Sequence, residues 1–142
     1  MSQTNLTLTD GNDTWIEKTA SDYDIHAGAG DDYVWTKGPS DHVYGEDGND
    51  TITIEGGAAV GGAGNDTIYA RGEGVLLFGD DGDDILQSYG ANSYLNCGTG
   101  NDQFYVNNGG KAHGEAGNDT FYIGRDSNAT TDAYGGTGDD YY

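Results

Sequence analysis

Large apolar or aromatic side chains recur about every 18 residues along the chain. They form one column, which consists of Trp15, Val34, Ile52, Ile68, Leu86, Phe104, Phe121 and Tyr142. Around several of them apolar and polar residues alternate, as at Ile52 and Ile54, and this alternation is the period-two pattern of a strand. No helical periodicity competes with it. The pattern predicts one short strand per repeat, with the column facing inward.

A glycine-rich turn motif precedes each member of this column. Its order is always Gly, then Asn or Asp, then Asp, and it occurs eight times. The motif glycines are Gly11, Gly30, Gly48, Gly64, Gly82, Gly100, Gly117 and Gly138. The final aspartates are Asp13, Asp32, Asp50, Asp66, Asp84, Asp102, Asp119 and Asp140. These aspartates lie 19, 18, 16, 18, 18, 17 and 21 residues apart, which indicates one coil per repeat.

A second apolar column lies five residues before each motif glycine. Its members are Leu6, Ile25, Val43, Ala59, Leu77, Leu95, Ala112 and Ala133. Two inward columns predict an all-β fold, a right-handed parallel β-roll or β-helix solenoid of about eight coils with about 18 residues each. We expect a single domain over residues 1–142, with an N-terminal strand or cap at 1–9 and the eight repeats at 10–142.

The composition indicates that such a fold needs a bound ligand for its stability. Only 34% of the residues are hydrophobic and 26 are glycine, so a large core is excluded. Cys97 is the only cysteine, so no internal disulfide can staple the chain. The formal charge of −20 opposes binding to nucleic acid or an anionic membrane, and no apolar run is long enough to span a bilayer. The natural counter-charge is a cation.

The residue types of the turn suit calcium. Calcium takes about six to eight hard oxygen ligands, from carboxylates and backbone carbonyls, in a flexible geometry. Glycine permits the positive φ that turns carbonyl groups inward, and Asn or Asp tolerates it next best. We therefore expect the eight final aspartates to supply side-chain ligands and the backbone around the motif glycines to supply carbonyls.

The turns resemble those of the RTX, or haemolysin-type, calcium-binding repeat proteins, whose nonapeptide is Gly-Gly-x-Gly-x-Asp-x-apolar-x. Residues 61–69 match every position, and residues 135–142 match as far as they run. Other repeats depart at the first two glycines, where Ala27, Cys97, Glu46, Asp80 and Glu115 stand. The resemblance implies that each ion lies between the turns of neighbouring coils, so that eight turns hold about seven Ca²⁺. It also implies type I secretion and an extracellular or cell-surface location.

A second row of turns is not expected on the other side of the roll. Nine residues beyond the motif aspartates, where such a row would place further carboxylates, only Asp22 and Asp41 qualify. The sequence leaves open whether weak additional sites exist near these two residues.

An outward column of aromatic residues offers a face for a partner. It includes Trp35, Tyr69, Tyr105 and Tyr122, next to a column with several threonines. A polysaccharide, ice or a protein could bind such a face, whereas β-propensity alone also explains these residue types.

The expected function is that of a calcium-dependent folding module in a secreted or surface protein, with a structural or adhesive role and no enzymatic activity. The alternatives are an ice-binding roll and a carbohydrate-binding accessory module of an extracellular enzyme. The parallel strand edge near Tyr142 would permit end-to-end self-association, and we expect the chain to be a fragment of a longer protein.

Overall fold

The structure, a computed structural model, describes residues 3–124 and 129–142. These residues form fifteen β-strands and no helix. Eight strands build one sheet: β1 Thr4–Thr7, β3 Tyr23–Ala29, β5 Asp41–Asp47, β7 Gly57–Ala63, β9 Leu76–Asp81, β11 Ser93–Thr99, β13 Gly110–Ala116 and β15 Thr131–Thr137. Seven build the other: β2 Thr14–Ile16, β4 Tyr33–Trp35, β6 Thr51–Ile54, β8 Thr67–Ala70, β10 Ile85–Ser88, β12 Gln103–Val106 and β14 Thr120–Ile123.

All strand pairs are parallel and join equivalent positions of successive coils. Ile52 of β6 pairs with Ile68 of β8, and Leu77 of β9 pairs with Leu95 of β11. Odd-numbered strands stack in one sheet and even-numbered strands in the other, so the chain winds as a β-solenoid of about seven turns. In the eighth coil the second strand is reduced to one bridge, between Tyr141 and Thr120. The predicted parallel solenoid is confirmed.

The core is narrow and consists mainly of the two predicted columns. Ile25, Val43, Leu77 and Leu95 from the eight-stranded sheet are fully or almost fully buried, as are the matching residues of the other sheet in the central coils. Aromatic rings continue the stack, because Phe104 and Phe121 lie 4.5 Å apart with nearly parallel planes.

The outermost members of the columns are less well covered. Leu6, Trp15 and Ala133 are partly buried. Tyr142 stacks on Phe121 at 4.9 Å, as its predicted inward position requires. Its side chain is nevertheless 61% exposed, so the expectation that it is buried in the core is wrong. These residues have a neighbouring coil on one side only, whereas a central residue is covered from both sides. Within the described ranges no helix is long and apolar enough to cross a membrane.

Candidate metal centre

The motif aspartates form a continuous hydrogen-bond ladder along one side of the solenoid. One carboxylate oxygen, Oδ1, accepts the backbone N–H of the motif aspartate in the preceding coil. Asp66 Oδ1 accepts from Asp50 N at 2.7 Å, and Asp84 Oδ1 accepts from Asp66 N at 2.7 Å. The same bond joins all seven neighbouring pairs, from Asp13–Asp32 to Asp119–Asp140, at 2.7 to 3.1 Å. Each side chain is therefore held in a fixed orientation.

The other carboxylate oxygen, Oδ2, has no hydrogen-bond partner in six of these turns. The six are Asp32, Asp50, Asp66, Asp84, Asp102 and Asp119. Their side chains belong to residues that are at most 3% exposed, so water does not reach the oxygens. A buried polar atom without a partner is costly, and a buried carboxylate oxygen is especially so. The regular repetition of this feature indicates a row of sites suited to a positively charged ligand.

Burial makes these carboxyl groups hard to ionise. Removal from water raises the pKa of Asp50 and of Asp66 to about 6. The same cause raises the pKa of Asp102 to about 7 and that of Asp84 to about 8, and neighbouring carboxylates add to it. The pKa values of Asp32 and Asp119 are raised in the same direction. At neutral pH these buried carboxyl groups are stable in the folded chain only if they keep their protons or if a cation neutralises them.

The motif glycines let the coils approach each other closely. Seven of the eight, Gly30 to Gly138, have positive φ, between 113° and 144°. A Cβ atom at Gly64 or Gly82 would overlap the carbonyl group of the motif glycine in the preceding coil. In the described part of the chain, no backbone hydrogen bond ends on the carbonyl oxygens of Gly48, Gly64 or Gly82. These oxygens are free to bind a cation.

A small space lies next to Oδ2 where the first glycine of the nonapeptide stands. A Cβ atom at Gly45 would overlap both Asp50 Oδ2 and the carbonyl oxygen of Gly61 in the next coil. A Cβ atom at Gly79 would in the same way meet Asp84 Oδ2 and the Cys97 carbonyl oxygen. Oxygens of two successive coils therefore converge here.

Three coils carry a side chain in this position, namely Leu8 in the first coil, Ala27 in the second and Cys97 in the sixth. Ala27 and Cys97 are fully buried there, and burial raises the pKa of the Cys97 thiol, which keeps it protonated. Their Cβ atoms take up part of the space that glycine leaves free in other coils.

The second nonapeptide position also varies. Glu46, Asp80 and Glu115 replace glycine in three alternate coils and still adopt φ values of 71° to 79°. The turn thus keeps its shape, although a non-glycine residue is strained at positive φ.

The first coil departs from the pattern. Asp13 Oδ2 accepts hydrogen bonds from both the backbone N–H and the hydroxyl of Thr9, each at 2.7 Å. Gly11 does not adopt the positive φ of the other motif glycines. Thr9 therefore supplies hydrogen bonds to Asp13 Oδ2, whereas the equivalent Oδ2 oxygens from Asp32 to Asp119 have no partner.

A second ladder, which the sequence did not predict, runs through the middle residue of each motif. Its side-chain oxygen accepts the backbone N–H of the middle residue in the next coil, as between Asn49 and Asn65 at 2.8 Å and between Asn65 and Asp83 at 2.9 Å. Asn and Asp share this acceptor oxygen, which explains why the sequence accepts either. The middle residue ties the turns together from outside the row of motif aspartates.

The two carboxylates proposed for a second row are held differently. Asp41 is fully buried, and its two oxygens accept hydrogen bonds from Tyr23 N at 2.8 Å and Gly38 N at 2.7 Å. Burial raises the pKa of Asp41. Glu17, also buried, accepts from Ser21 N at 2.6 Å. Both carboxylates therefore act as acceptors for backbone N–H groups of nearby turns. Asp22 lies nearby in sequence and has one buried carboxylate oxygen without a partner.

The predicted aromatic face lies on the outside of the seven-stranded sheet. Trp35, Tyr69, Tyr105 and Tyr122 stand at equivalent positions of β4, β8, β12 and β14. The aromatic column is interrupted twice, because Thr53 of β6 lies between Trp35 and Tyr69 and Gln87 of β10 lies between Tyr69 and Tyr105. Tyr105 and Tyr122 are adjacent and stack at 4.6 Å.

The donor set of the turns fits a hard cation. Among the described residues, no group of three or more His, Cys, Asp and Glu side chains converges on one point, so side chains alone do not form the site. Each coil instead offers one fixed carboxylate oxygen and backbone carbonyl oxygens, and calcium binds such all-oxygen sets. When bound, the ion would supply the positive charge that the buried carboxylates lack.

Comparison with known proteins agrees with this chemistry. The family model described as the RTX calcium-binding nonapeptide repeat matches four times, at residues 26–58, 59–73, 78–110 and 111–128, which together cover more than half of the chain. No curated protein and no solved structure matches the chain. On the strength of the family match and of the repeated turns, this chain belongs to the family of RTX calcium-binding repeat proteins, and its repeats bind calcium.

Proposed function

We propose that the chain is a calcium-dependent folding module, in which the motif aspartates are the side-chain ligands and each ion lies between two successive turns. The observation that carries this proposal is the set of six buried Oδ2 oxygens without partners. Each of them faces the same side of the solenoid, where backbone carbonyl oxygens also approach. One ion per coil interface would satisfy both.

Electrostatics couples ion binding to folding. Stacking the coils buries the carboxylates side by side, and in addition the chain carries a formal charge of −20. Six divalent ions would neutralise more than half of that charge. Without them, folding must either protonate the buried carboxyl groups or leave them ionised away from water, and both are unfavourable at neutral pH.

The geometry favours six strong sites over the seven that eight turns would allow. The six unpartnered oxygens extend from Asp32 to Asp119, whereas Asp13 Oδ2 is already bonded to Thr9. A seventh ion, next to Asp13, would have to displace those hydrogen bonds. We expect it to bind more weakly than the others.

Dependence on calcium suits a protein that folds outside the cell. Extracellular calcium modules bind with dissociation constants of about 10⁻⁴ to 10⁻³ M, and cytosolic free calcium lies far below that range. The chain would stay unfolded during export and fold on arrival. We infer a structural or adhesive role in a secreted or cell-surface protein, without catalysis by this module.

Calorimetry tests the proposed sites directly. Calcium titrated into the metal-free chain should bind with a stoichiometry of about six, and magnesium at the same concentration should not replace it, since Mg²⁺ prefers a rigid octahedral site and keeps its water. The variant Asp84→Ala should bind one ion fewer. An unchanged stoichiometry in this variant, or fewer than three ions in the unmodified chain, would argue against the motif aspartates as ligands.

Ice binding gains no specific support from the structure. An ice-binding face needs a flat lattice of small side chains, whereas the threonines of β6 lie between the larger Tyr33 and Tyr69. The alternative stays a prediction, and thermal hysteresis measurements would test it.

A further inference from the structure

The outer surface of the seven-stranded sheet contains a groove along β6. Its floor is Thr51 and Thr53, and its walls are Tyr33 of β4, Tyr69 and Arg71 on the β8 side, and Tyr89 after β10. The groove encloses about 480 Å³. It exists because β6 presents two small side chains between strands with large ones. Since neighbouring strands lie about 4.8 Å apart, the β4 and β8 backbones are separated by roughly 10 Å.

Positive charge concentrates beside this groove although the chain as a whole is acidic. The chain has five Lys and Arg residues, and three of them, Lys18, Lys37 and Arg71, stand five residues after a motif aspartate. That position follows the strands of the seven-stranded sheet. The outward positions of the seven strands themselves carry no Asp or Glu, and the one acidic residue in the same column is Glu55. The outer face of this sheet therefore carries more of the chain's few cations than any other described surface, with Arg71 at the groove and Lys37 near it.

The cations are organised around one aromatic ring. Lys37 Nζ lies 5.1 Å and the Arg71 guanidinium carbon 5.4 Å from the centre of the Trp35 ring. Arg71 lines the groove itself, and its cation–π contact with Trp35, which Lys37 shares, keeps a second positive charge close to that end of the groove. Arg71 also approaches Glu55, at 3.6 Å, but both side chains are well exposed, so this ion pair is weak and can yield to a ligand.

We propose that the groove along β6 binds an acidic glycan. Flat aromatic walls suit sugar rings, the threonine and tyrosine hydroxyl groups suit sugar hydroxyls, and the two cations suit carboxylate or sulfate groups on the sugar. An acidic peptide fits less well. It would usually add to a sheet edge, whereas β6 lies inside a sheet with both backbone sides already paired.

This inference adds a partner to the calcium-folded module, and the binding test uses the calcium-saturated chain. The probes are hexasaccharides of hyaluronan and of chondroitin sulfate, with cellohexaose as a neutral sugar and hexaglutamate as an acidic peptide. Calorimetry should show at least one acidic hexasaccharide binding about tenfold more tightly than cellohexaose and hexaglutamate. Its affinity should fall as the salt concentration rises, because exposed charges take part.

Two charge variants separate a specific groove from general attraction. Arg71→Gln should weaken binding of the acidic hexasaccharide about tenfold, which is the usual effect of losing one charge-assisted hydrogen bond. Lys111→Gln makes the same change of charge on β13 of the other sheet and should weaken it less than about twofold. Both variants should keep the calcium stoichiometry and the circular dichroism spectrum of the parent chain, since neither residue belongs to the turns.

An aromatic pair tests the contribution of the walls. Tyr69→Ala should weaken binding, whereas Tyr69→Phe keeps the ring and should bind nearly as well. The proposal is overturned if neither acidic hexasaccharide binds, if hexaglutamate binds as tightly as the sugars, or if the Arg71 and Lys111 variants lose affinity equally. A chain that binds calcium and folds but fails these tests would leave the folding module intact and remove only the glycan site.

Discussion

Lowering the pH should allow the chain to fold without calcium, because protons then neutralise the buried carboxyl groups. Four buried carboxyl groups have pKa values well above their ordinary value near 4: Asp50 and Asp66 at about 6, Asp102 at about 7 and Asp84 at about 8. A group whose pKa is higher in the folded chain binds its proton more tightly there. The contribution to stability is therefore fully present below about pH 4 and is lost as the pH rises through about 6 to 8.

The size of this effect is comparable to the stability of a domain. Each pKa unit corresponds to about 1.4 kcal/mol, so the raised pKa of Asp84 alone corresponds to roughly 6 kcal/mol, and the four raised pKa values together correspond to about 15 kcal/mol. Small domains are stable by only about 5–15 kcal/mol in total. At pH 8 the metal-free chain should be unfolded, and at pH 5 these four groups are mainly protonated if the chain folds.

Far-ultraviolet circular dichroism of the metal-free chain between pH 8 and pH 5 measures this transition. We expect β-structure to appear as the pH falls towards 5. This range lies above the sequence isoelectric point of about 4.1, so precipitation at the isoelectric point should not interfere. A control at pH 8 with 1 M salt screens surface repulsion but not buried charge, and should not fold the chain. Folding by salt alone, or no gain of β-structure at pH 5, would refute the reasoning from buried carboxylates.

Three substitutions probe single parts of the turns. Asp84→Asn should bind one ion fewer, because the amide carries no charge, and ion counting would show this loss. It should nevertheless fold more readily without metal than Asp84→Ala, because only Asn keeps the Oδ1 acceptor for Asp66 N, and thermal melts would show the difference. Gly82→Ala should destabilise the chain by at least about 2 kcal/mol, since its Cβ would overlap the Gly64 carbonyl at a φ of 133°, whereas Gly74→Ala, with open space around it, should cost about 1 kcal/mol in urea unfolding. Asn65→Ala should cost about 1 kcal/mol and Asn65→Asp much less, because only the first loses the acceptor of the outer ladder; equal losses in the same assay would argue against that ladder.

The repeat made most of the fold predictable from the sequence. Columns of apolar residues separated by one coil must stack if they are to be buried together, and this requirement alone pairs Ile52 with Ile68 and Leu77 with Leu95. The constant position of the turn motif then indicates that its aspartates lie in one row. Strand type, parallel pairing and register follow from these two regularities.

Features that depend on the direction of individual side chains were not predictable in the same way. An Asn or Asp in a turn can face a metal, solvent or the next coil, and only the structure shows that Asn65 bonds to the backbone of the following coil. The capture of Asp13 by Thr9 depends on local geometry in the first turn. The groove along β6 requires comparison of side-chain size across three strands, and the column of Lys18, Lys37 and Arg71 was the signal that could have revealed it.

The most direct test of the account is the far-ultraviolet circular dichroism spectrum of the chain at pH 7.5, first with excess chelator and then with millimolar calcium. The account predicts an unfolded spectrum in chelator, which becomes β-rich on addition of calcium and reverts when calcium is removed. A spectrum that is equally β-rich in chelator would contradict the central claim, because it would mean that the six buried carboxylate oxygens need no cation in the folded chain.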